Sequence, residues 1–531
     1  MKKNLDIAIG IDLGTCFSAS AYIDQGIPKI IPNHYGNAIT PSCVAISHDE
    51  ILVGEDANFV KNDPDFTYIE KSKILMGTSH IYHTPQGDYT PEDIASIILK
   101  HVLDYSNEFL RSNINNAVVT VPAYFNANQR RLTKEAAEKS GINVLRIISE
   151  PTAASLISGS IPEGSKILVY DLGGGTFDCS ILEVYHDWAR VIATHGDTNL
   201  GGKNFDEAIA SHLVKQWKGL GTEKQIKLLD ICEKTKKGLT NRDQVFVPIN
   251  EIDSKLLPIK LTYKDFKTIT KSLVDTTKYC IFECLKDAEL EFSSINKVYM
   301  VGGSTRMRVV EEMLSSLFSV TPESLGNPDE SVALGSAIHA NDIYGKEASI
   351  LLIDAIPLSL GIKLENGICK KIMMRNSPIP GESEEIFTTA QDNQEKVVIE
   401  IYQGENELAK NNVHIGTLEL SGIHKGLRGE PKILVSFEVD SNAVLSVKAS
   451  DLHTGVTTES KFNYNINLNV ESKSEEIDLL LLSLKEKLFE FSKRQNISEE
   501  DTKLIEDALQ DSNVEFVQSV VAHMQELSMQ H

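Results

Sequence analysis

Ile9-Gly-Ile-Asp-Leu-Gly-Thr-Cys-Phe-Ser18 and Leu168-Val-Tyr-Asp-Leu-Gly-Gly-Gly-Thr-Phe-Asp178 are two copies of one pattern: strand, aspartate, leucine, glycine turn, threonine. Each copy predicts a β-hairpin whose glycines let backbone N–H groups approach a phosphate. Each also sets a carboxylate, Asp12 or Asp171, beside its turn. Two such hairpins, from the halves of a duplicated fold, can close on one polyphosphate. The paired carboxylates suit hydrated Mg²⁺, which takes few protein ligands and keeps its waters. One copy would read as a tight turn; two copies a domain apart, followed by Gly302-Gly303-Ser304, do not. The chain has no GxxxxGK[ST] loop, so phosphate is held by a different device.

With 531 residues the chain exceeds one hydrophobic core and should divide. Up to residue 346, β-rich runs (Ala117-Val-Val-Thr-Val, Lys166-Ile-Leu-Val-Tyr, Val298-Tyr-Met-Val) alternate with helical stretches, the texture of an α/β domain. Residues 357–470 change to successive strands with turns between them, which reads as a β-sandwich. Residues 471–531 read as a short helical lid: Ser472 with Glu475 offers a capping box, and Leu481, Leu484, Leu488 and Phe491 recur at helical spacing. Residues 347–356 hold an apolar connector, Ile350-Leu-Leu-Ile-Asp354. An apolar linker needs burial, and docking on a domain surface is favoured over a plain core segment.

Taken in order, the motifs IDLGT, VTVPAYF, ISEPTAA, DLGGGTFD, LGG, VGGST, NPDE, ILLID, PLSLGI and FTTAQDNQ resemble the DnaK-type chaperones, the seventy-kilodalton heat-shock family. The resemblance runs from about Ile7 to about Val470. It implies a two-lobed ATPase domain of the actin–hexokinase fold, a duplicated RNase H-like arrangement with ATP between the lobes. It implies ATP and ADP as ligands, with Mg²⁺ and K⁺ as companion cations.

Position by position, the resemblance implies a phosphate and metal site of Asp12, Gly14, Thr15, Cys16, Phe17, Asp171, Gly173, Gly174, Gly175 and Thr176. Lys73 matches the family's essential lysine, with Glu150 and Asp178 completing an acidic shell around the attacking water. The adenosine side would use Gly201, Gly202, Glu233, Lys236, Lys237, Thr240, Gly302, Gly303, Ser304, Arg306 and Asp329. Lys237 and Thr240 stand where the family commonly has arginine and serine. Lysine does not stack on a ring as guanidinium does, so nucleotide is expected to exchange faster, with Lys237→Arg slowing ADP release.

Pro122 and Arg130 match the family's switch proline and relay arginine, and Lys134 and Arg146 its surface for the linker aspartate, here Asp354. Ion pairing there, with burial of Leu351 and Leu352, would hold the tether docked in the ATP state. Ile362, Phe387, Val397, Ile399 and Ile433 match the lining of the family's peptide pocket. Glu365 stands where a bulky apolar residue commonly closes over the client, opposite Ala390. The short lid and the absence of an acidic tail after Leu527 resemble the specialised short bacterial members. J-domain and nucleotide-exchange partners are implied as well.

The net charge of −23 opposes phosphate-backbone binding, so nucleic acid is excluded as a partner. No stretch is long and apolar enough to span a bilayer. Seven cysteines without metal-ligand spacing, and a start without a long apolar stretch, lead to the expectation of a reducing, cytoplasmic setting. The reading is an ATP-hydrolysing chaperone that grips extended polypeptide. A small-molecule kinase is opposed by PLSLGI and VPAYF, and a nucleotide-sensing scaffold with little turnover is the alternative.

Overall fold

The computed structural model describes residues 7–157, 161–185, 188–253, 257–345, 351–441 and 444–461. The helical lid expected over 471–531 lies outside the described residues, as do residues 347–350 and the side chain of Leu351.

The duplication is visible in strand order. In the first lobe the order is Asn143–Ser149, Asn116–Val121, Ile9–Leu13, Phe17–Asp24, Ile27–Ile31. In the second it is Glu323–Ser324, Lys297–Val301, Ser165–Leu172, Phe177–Val184, Trp188–Asp197. In each, the central strand pairs in parallel on one side (Ile9 with Ala117, Ile167 with Lys297). On the other side it turns back in an antiparallel hairpin (Leu13 with Ser18, Leu172 with Phe177). Both central strands are almost wholly buried, as expected where helices cover both faces of a sheet.

The helices have readable causes. Pro91–Phe109 starts on a Thr90–Asp93 capping box with proline in its first turn, and buries Ile94, Ile98, Leu99 and Val102 along one face. Ala127–Lys139 starts on Asn126, whose side chain accepts from the Gln129 N–H at 3.0 Å; such a cap contributes about 1 kcal/mol. Between the lobes, Ser331–Tyr344 crosses Glu150–Ser155 at glycine: a Cβ on Gly335 would lie 1.8 Å from the Ala153 carbonyl oxygen. An alanine and valine core (Val118, Ala153, Val169, Val332, Ala340) fills this junction. On the helix Lys271–Asp287, Cys280 and Cys284 are both buried, a helix face packed on the sheet.

Past residue 356 the chain forms two four-stranded antiparallel sheets. One holds Cys369–Met373, Leu360–Lys363, Lys396–Gln403 and Val413–Ser421; the other holds Gly381–Phe387, Ile433–Val439, Leu445–Asp451 and Thr457–Lys461. Ile433, Val435, Phe437 and Val439 alternate inward, and share one core with Ile401, Leu418 and Leu420 of the first sheet.

The connector is itself a strand. Leu351–Ala355 pairs in parallel with Trp188–Arg190 and, through Asp354 and Ala355, antiparallel with Pro378 and Ile379. It therefore extends the second-lobe sheet to seven strands, the last from the β-rich part. Among the described residues no helix is long and apolar enough to cross a membrane.

Candidate functional site

The two glycine turns touch. A Cβ built on Gly174 would lie 2.1 Å from the Cys16 Sγ, and one on Gly175 would lie 2.9 Å from the Thr15 Cγ2. Two further loops join them: the Gly202 N–H donates to the Gly173 carbonyl (3.0 Å) and the Lys203 N–H to that of Gly174 (2.9 Å), while from the other loop the Ser304 hydroxyl donates to that of Gly173 (2.8 Å). Gly302 takes φ 82°, and a Cβ there would lie 2.7 Å from the Asp171 Oδ1, so backbone passes where a side chain cannot. Four loops remote in sequence thus share one small space.

Beneath the turns lies a buried charged cluster. Lys73, on the short turn Ser72–Leu75, donates to the Glu150 Oε1 (2.6 Å) and to the Leu13 carbonyl. Its ammonium also faces the Phe125 ring at 5.7 Å. Asp12 accepts from the Thr120 hydroxyl (2.9 Å), and Asp178 from the Tyr124 N–H (2.8 Å). Burial, then the Glu150 charge, pushes the carboxyls of Asp12 and Asp178 up to about 7. The same causes raise Asp171 well above the usual carboxylate range. Asp12, Glu150, Asp171 and Asp178 face one lysine, a surplus of buried negative charge that a cation would compensate. Among the described residues no three His, Cys, Asp or Glu side chains converge as a ligand set. Mg²⁺ takes one or two carboxylates and keeps its waters, a demand that Asp12 and Asp171 beside the turns can meet.

Above the turns opens a cleft of about 690 Å³ between the lobes. Cys16, Phe17, Gly174 and Gly202 line its floor, and Glu233, Lys236, Lys237, Thr240, Gly303, Ser304, Arg306 and Asp329 its walls. Lys236 is pinned by the Asp206 carboxylate and the Gly202 carbonyl, both at 2.8 Å. Lys237 pairs with Glu233 at 2.8 Å on its own helix, and Arg306 with Asp329 at 2.9 Å. Asp206, Lys71 and Lys203 line this cleft without being marked by the sequence motifs.

From this site a chain of contacts leads to the tether. Tyr124, two residues after Pro122, stacks on His195 with centroids 5.6 Å apart. Arg130 is buried; its guanidinium donates to the Phe125 (3.2 Å) and Ala123 (3.1 Å) carbonyls and pairs with Asp354 at 3.4 Å. Arg146 donates to the Leu352 carbonyl at 3.2 Å, and Leu352 and Asp354 are buried. The expected pairing of Lys134 with Asp354 is corrected: Lys134 pairs with Glu138, at 3.8 Å along its own helix. Arg130, one helical turn earlier, faces inward and takes the aspartate instead. Beyond the tether, Arg375 and Asn376 of the β-rich part meet Asp287 of the second lobe at 2.5 and 3.0 Å, and Asn376 accepts from the Thr194 N–H at 3.1 Å.

In the β-rich part a groove of about 1000 Å³ brings together Ile362, Glu365, Phe387, Ala390, Val397, Ile399 and Ile433. All seven positions singled out in the sequence line it. Glu365 is exposed at the rim and faces Arg428 at 3.9 Å, so the rim is ionic where the floor is apolar.

Duplicated lobes that close glycine turns over buried acids and a lysine define a two-lobed nucleotide-binding ATPase. The chain matches the family model described as Hsp70 protein over residues 8–529. It is also 42% identical, over 461 residues, to the Chaperone protein DnaK of Mycoplasma mycoides subsp. mycoides SC, an alignment covering 84% of this chain and 78% of that protein. The chain belongs to the Hsp70 family, as a DnaK-type, ATP-dependent chaperone with ATPase activity.

Proposed function

We propose that ATP hydrolysis in the lobe cleft is coupled, through the Leu351–Ala355 strand, to grip on an extended apolar segment of a client in the β-rich groove. The observation that carries this is the tether's position. It is paired to strands of both parts, and its Asp354 meets Arg130, which leans on the Ala123 and Phe125 carbonyls just after Pro122.

In this reading residues 1–346 form the nucleotide domain, 347–356 the tether, 357–470 a β-sandwich for substrate and 471–531 a truncated lid. Lys73 and Glu150 orient the attacking water and steady the terminal phosphate, with Asp178 and Thr176 beside them. Charge neutralisation and positioning supply most of the rate in such a transfer. Asp12 and Asp171 would hold Mg²⁺, which supplies charge compensation on the phosphate oxygens when bound; K⁺ would accompany it. Gly302, Gly303, Ser304, Arg306 and Asp329, with Glu233, Lys236, Lys237 and Thr240, would enclose the adenosine. Loss of the terminal phosphate is sensed through the Tyr124 N–H on Asp178, and passes along Pro122 and Arg130 to Asp354. Tether docking and client grip are then two states of one equilibrium.

The groove's apolar floor suits a leucine-like side chain, with the client's backbone hydrogen-bonding to the flanking loops. A J-domain protein and a nucleotide-exchange factor would act on the cycle, in a cytoplasmic setting. Steady-state ATPase with and without an unfolded peptide and a J-domain protein tests the coupling. Slow basal turnover should rise with both; turnover indifferent to either would overturn it.

A further inference from the structure

Two cations in the nucleotide cleft have no task in the reading above. Lys71 comes from the first lobe, just before the turn that carries Lys73. Lys203 comes from the second, in the first turn of the helix Gly202–Leu213. Both line the same cleft, beside Cys16 and Gly174, where the two hairpins touch.

Their placement is fixed by backbone. Lys71 takes φ 58°, in the left-handed region that side-chain-bearing residues disfavour. The Lys203 N–H is tied to the Gly174 carbonyl at 2.9 Å, which anchors its Cα to the second hairpin. The closest carboxylate to Lys71 is its neighbour Glu70, at 3.6 Å. Among the described residues the Lys203 ammonium makes no ion pair or hydrogen bond. Two of the cleft's acids are held by other cations, Asp206 by Lys236 and Glu233 by Lys237. Burial lowers the pKa of Lys203, and the Lys71 charge lowers it further against the pull of Glu207. One ammonium from each lobe thus lines the part of the cleft where the two glycine turns meet, the place where phosphate oxygens would lie.

We propose that Lys71 and Lys203 form a bridging clamp, one cation from each lobe, that takes the diphosphate of the bound nucleotide and draws the lobes together on it. This rests on the reading of the cleft as the nucleotide site and deepens it. Phosphate oxygens held by both cations would join the lobes through the nucleotide. The nucleoside alone gains nothing from the clamp.

Calorimetry on the full chain tests it, with ADP titrated directly and adenosine by competition. Lys71→Met and Lys203→Met should each raise the ADP Kd roughly tenfold, the scale of a charge-assisted hydrogen bond, and leave the adenosine Kd unchanged. Lys71→Arg and Lys203→Arg should restore ADP affinity. Equal losses for ADP and adenosine, no loss at all, or failure of the arginine variants to rescue would each overturn the clamp. Those outcomes leave the nucleotide site standing, because the parent chain still binds ADP. A parent chain that binds neither ligand would overturn both readings.

Discussion

Replacing Asp354 with asparagine keeps the shape of the tether and removes the charge that meets Arg130 at 3.4 Å. Both groups are shielded from water, with side-chain exposures of 2% and 10%, so solvent screening does little to soften the loss. Removing one partner of a buried pair costs about 3–5 kcal/mol. Arg130 keeps its two carbonyl acceptors at Ala123 and Phe125, which places the cost at the low end, about 3 kcal/mol. When the tether leaves, Arg130 gains water, so the penalty falls on the docked state alone. The docking equilibrium should then shift by about 150-fold. Hydrogen exchange of the 351–355 amides reads this directly: they are paired to Trp188–Arg190 and Ile379 when docked and free when not. In Mg·ATP the parent chain should protect them and Asp354→Asn should not, with basal ATPase no longer stimulated by peptide. Parental protection in the variant would refute the role given to this ion pair.

Gly174→Ala should drive the two hairpins apart, because its Cβ would lie 2.1 Å from the Cys16 Sγ. Adding Cys16→Ala leaves only the Cβ contact at 3.2 Å and should recover much of the nucleotide affinity, read by calorimetry. Ile399→Asp puts a charge on the floor of the β-rich groove and should weaken binding of a fluorescent leucine-rich peptide at least tenfold, leaving ADP affinity intact. Docking should also depend on pH. Burial, with Arg375 adding to it and Glu283, Asp287 and Glu405 opposing, holds His195 below its ordinary 6.5. Docking brings Arg375 of the β-rich part against His195, so the contribution of His195 to the docked state is fully present above pH 6.5 and shrinks as pH falls below it. Fluorescence of Trp188 beside the tether should report undocking toward pH 5.5, and His195→Asn should flatten the response.

The hairpins, with Asp12 and Asp171, were legible because glycine turns and their flanking aspartates are local signals; Lys73, Glu150 and Asp178 came only from the family resemblance, since none carries a pattern of its own. The seven groove positions came from the family resemblance, because apolar residues on strands read by themselves as core; the fold brings all seven to one groove. Leu351–Ala355 was legible as an apolar connector that needed burial, but not as a strand. Its partners, Trp188–Arg190 and Ile379, lie far away on either side in sequence, and pairing of that range leaves no mark on the segment itself. Arg130 and Lys134 differ by one helical turn, so spacing puts both on one face; only packing decides which of them turns toward Asp354. Lys71 and Lys203 escaped notice because an isolated lysine carries no pattern, and their relation exists only across the cleft.

A segment knitted into a sheet on both edges behaves unlike a flexible leash. Its rungs to the ATPase and to the β-rich part lie on the same five residues, so peeling one end loosens the other and intermediate insertion has little to hold it. Such a coupling works as a latch with two settings rather than as a dial. Client residence should therefore divide into a fast and a slow population whose proportions, and not whose lifetimes, change with the nucleotide supplied.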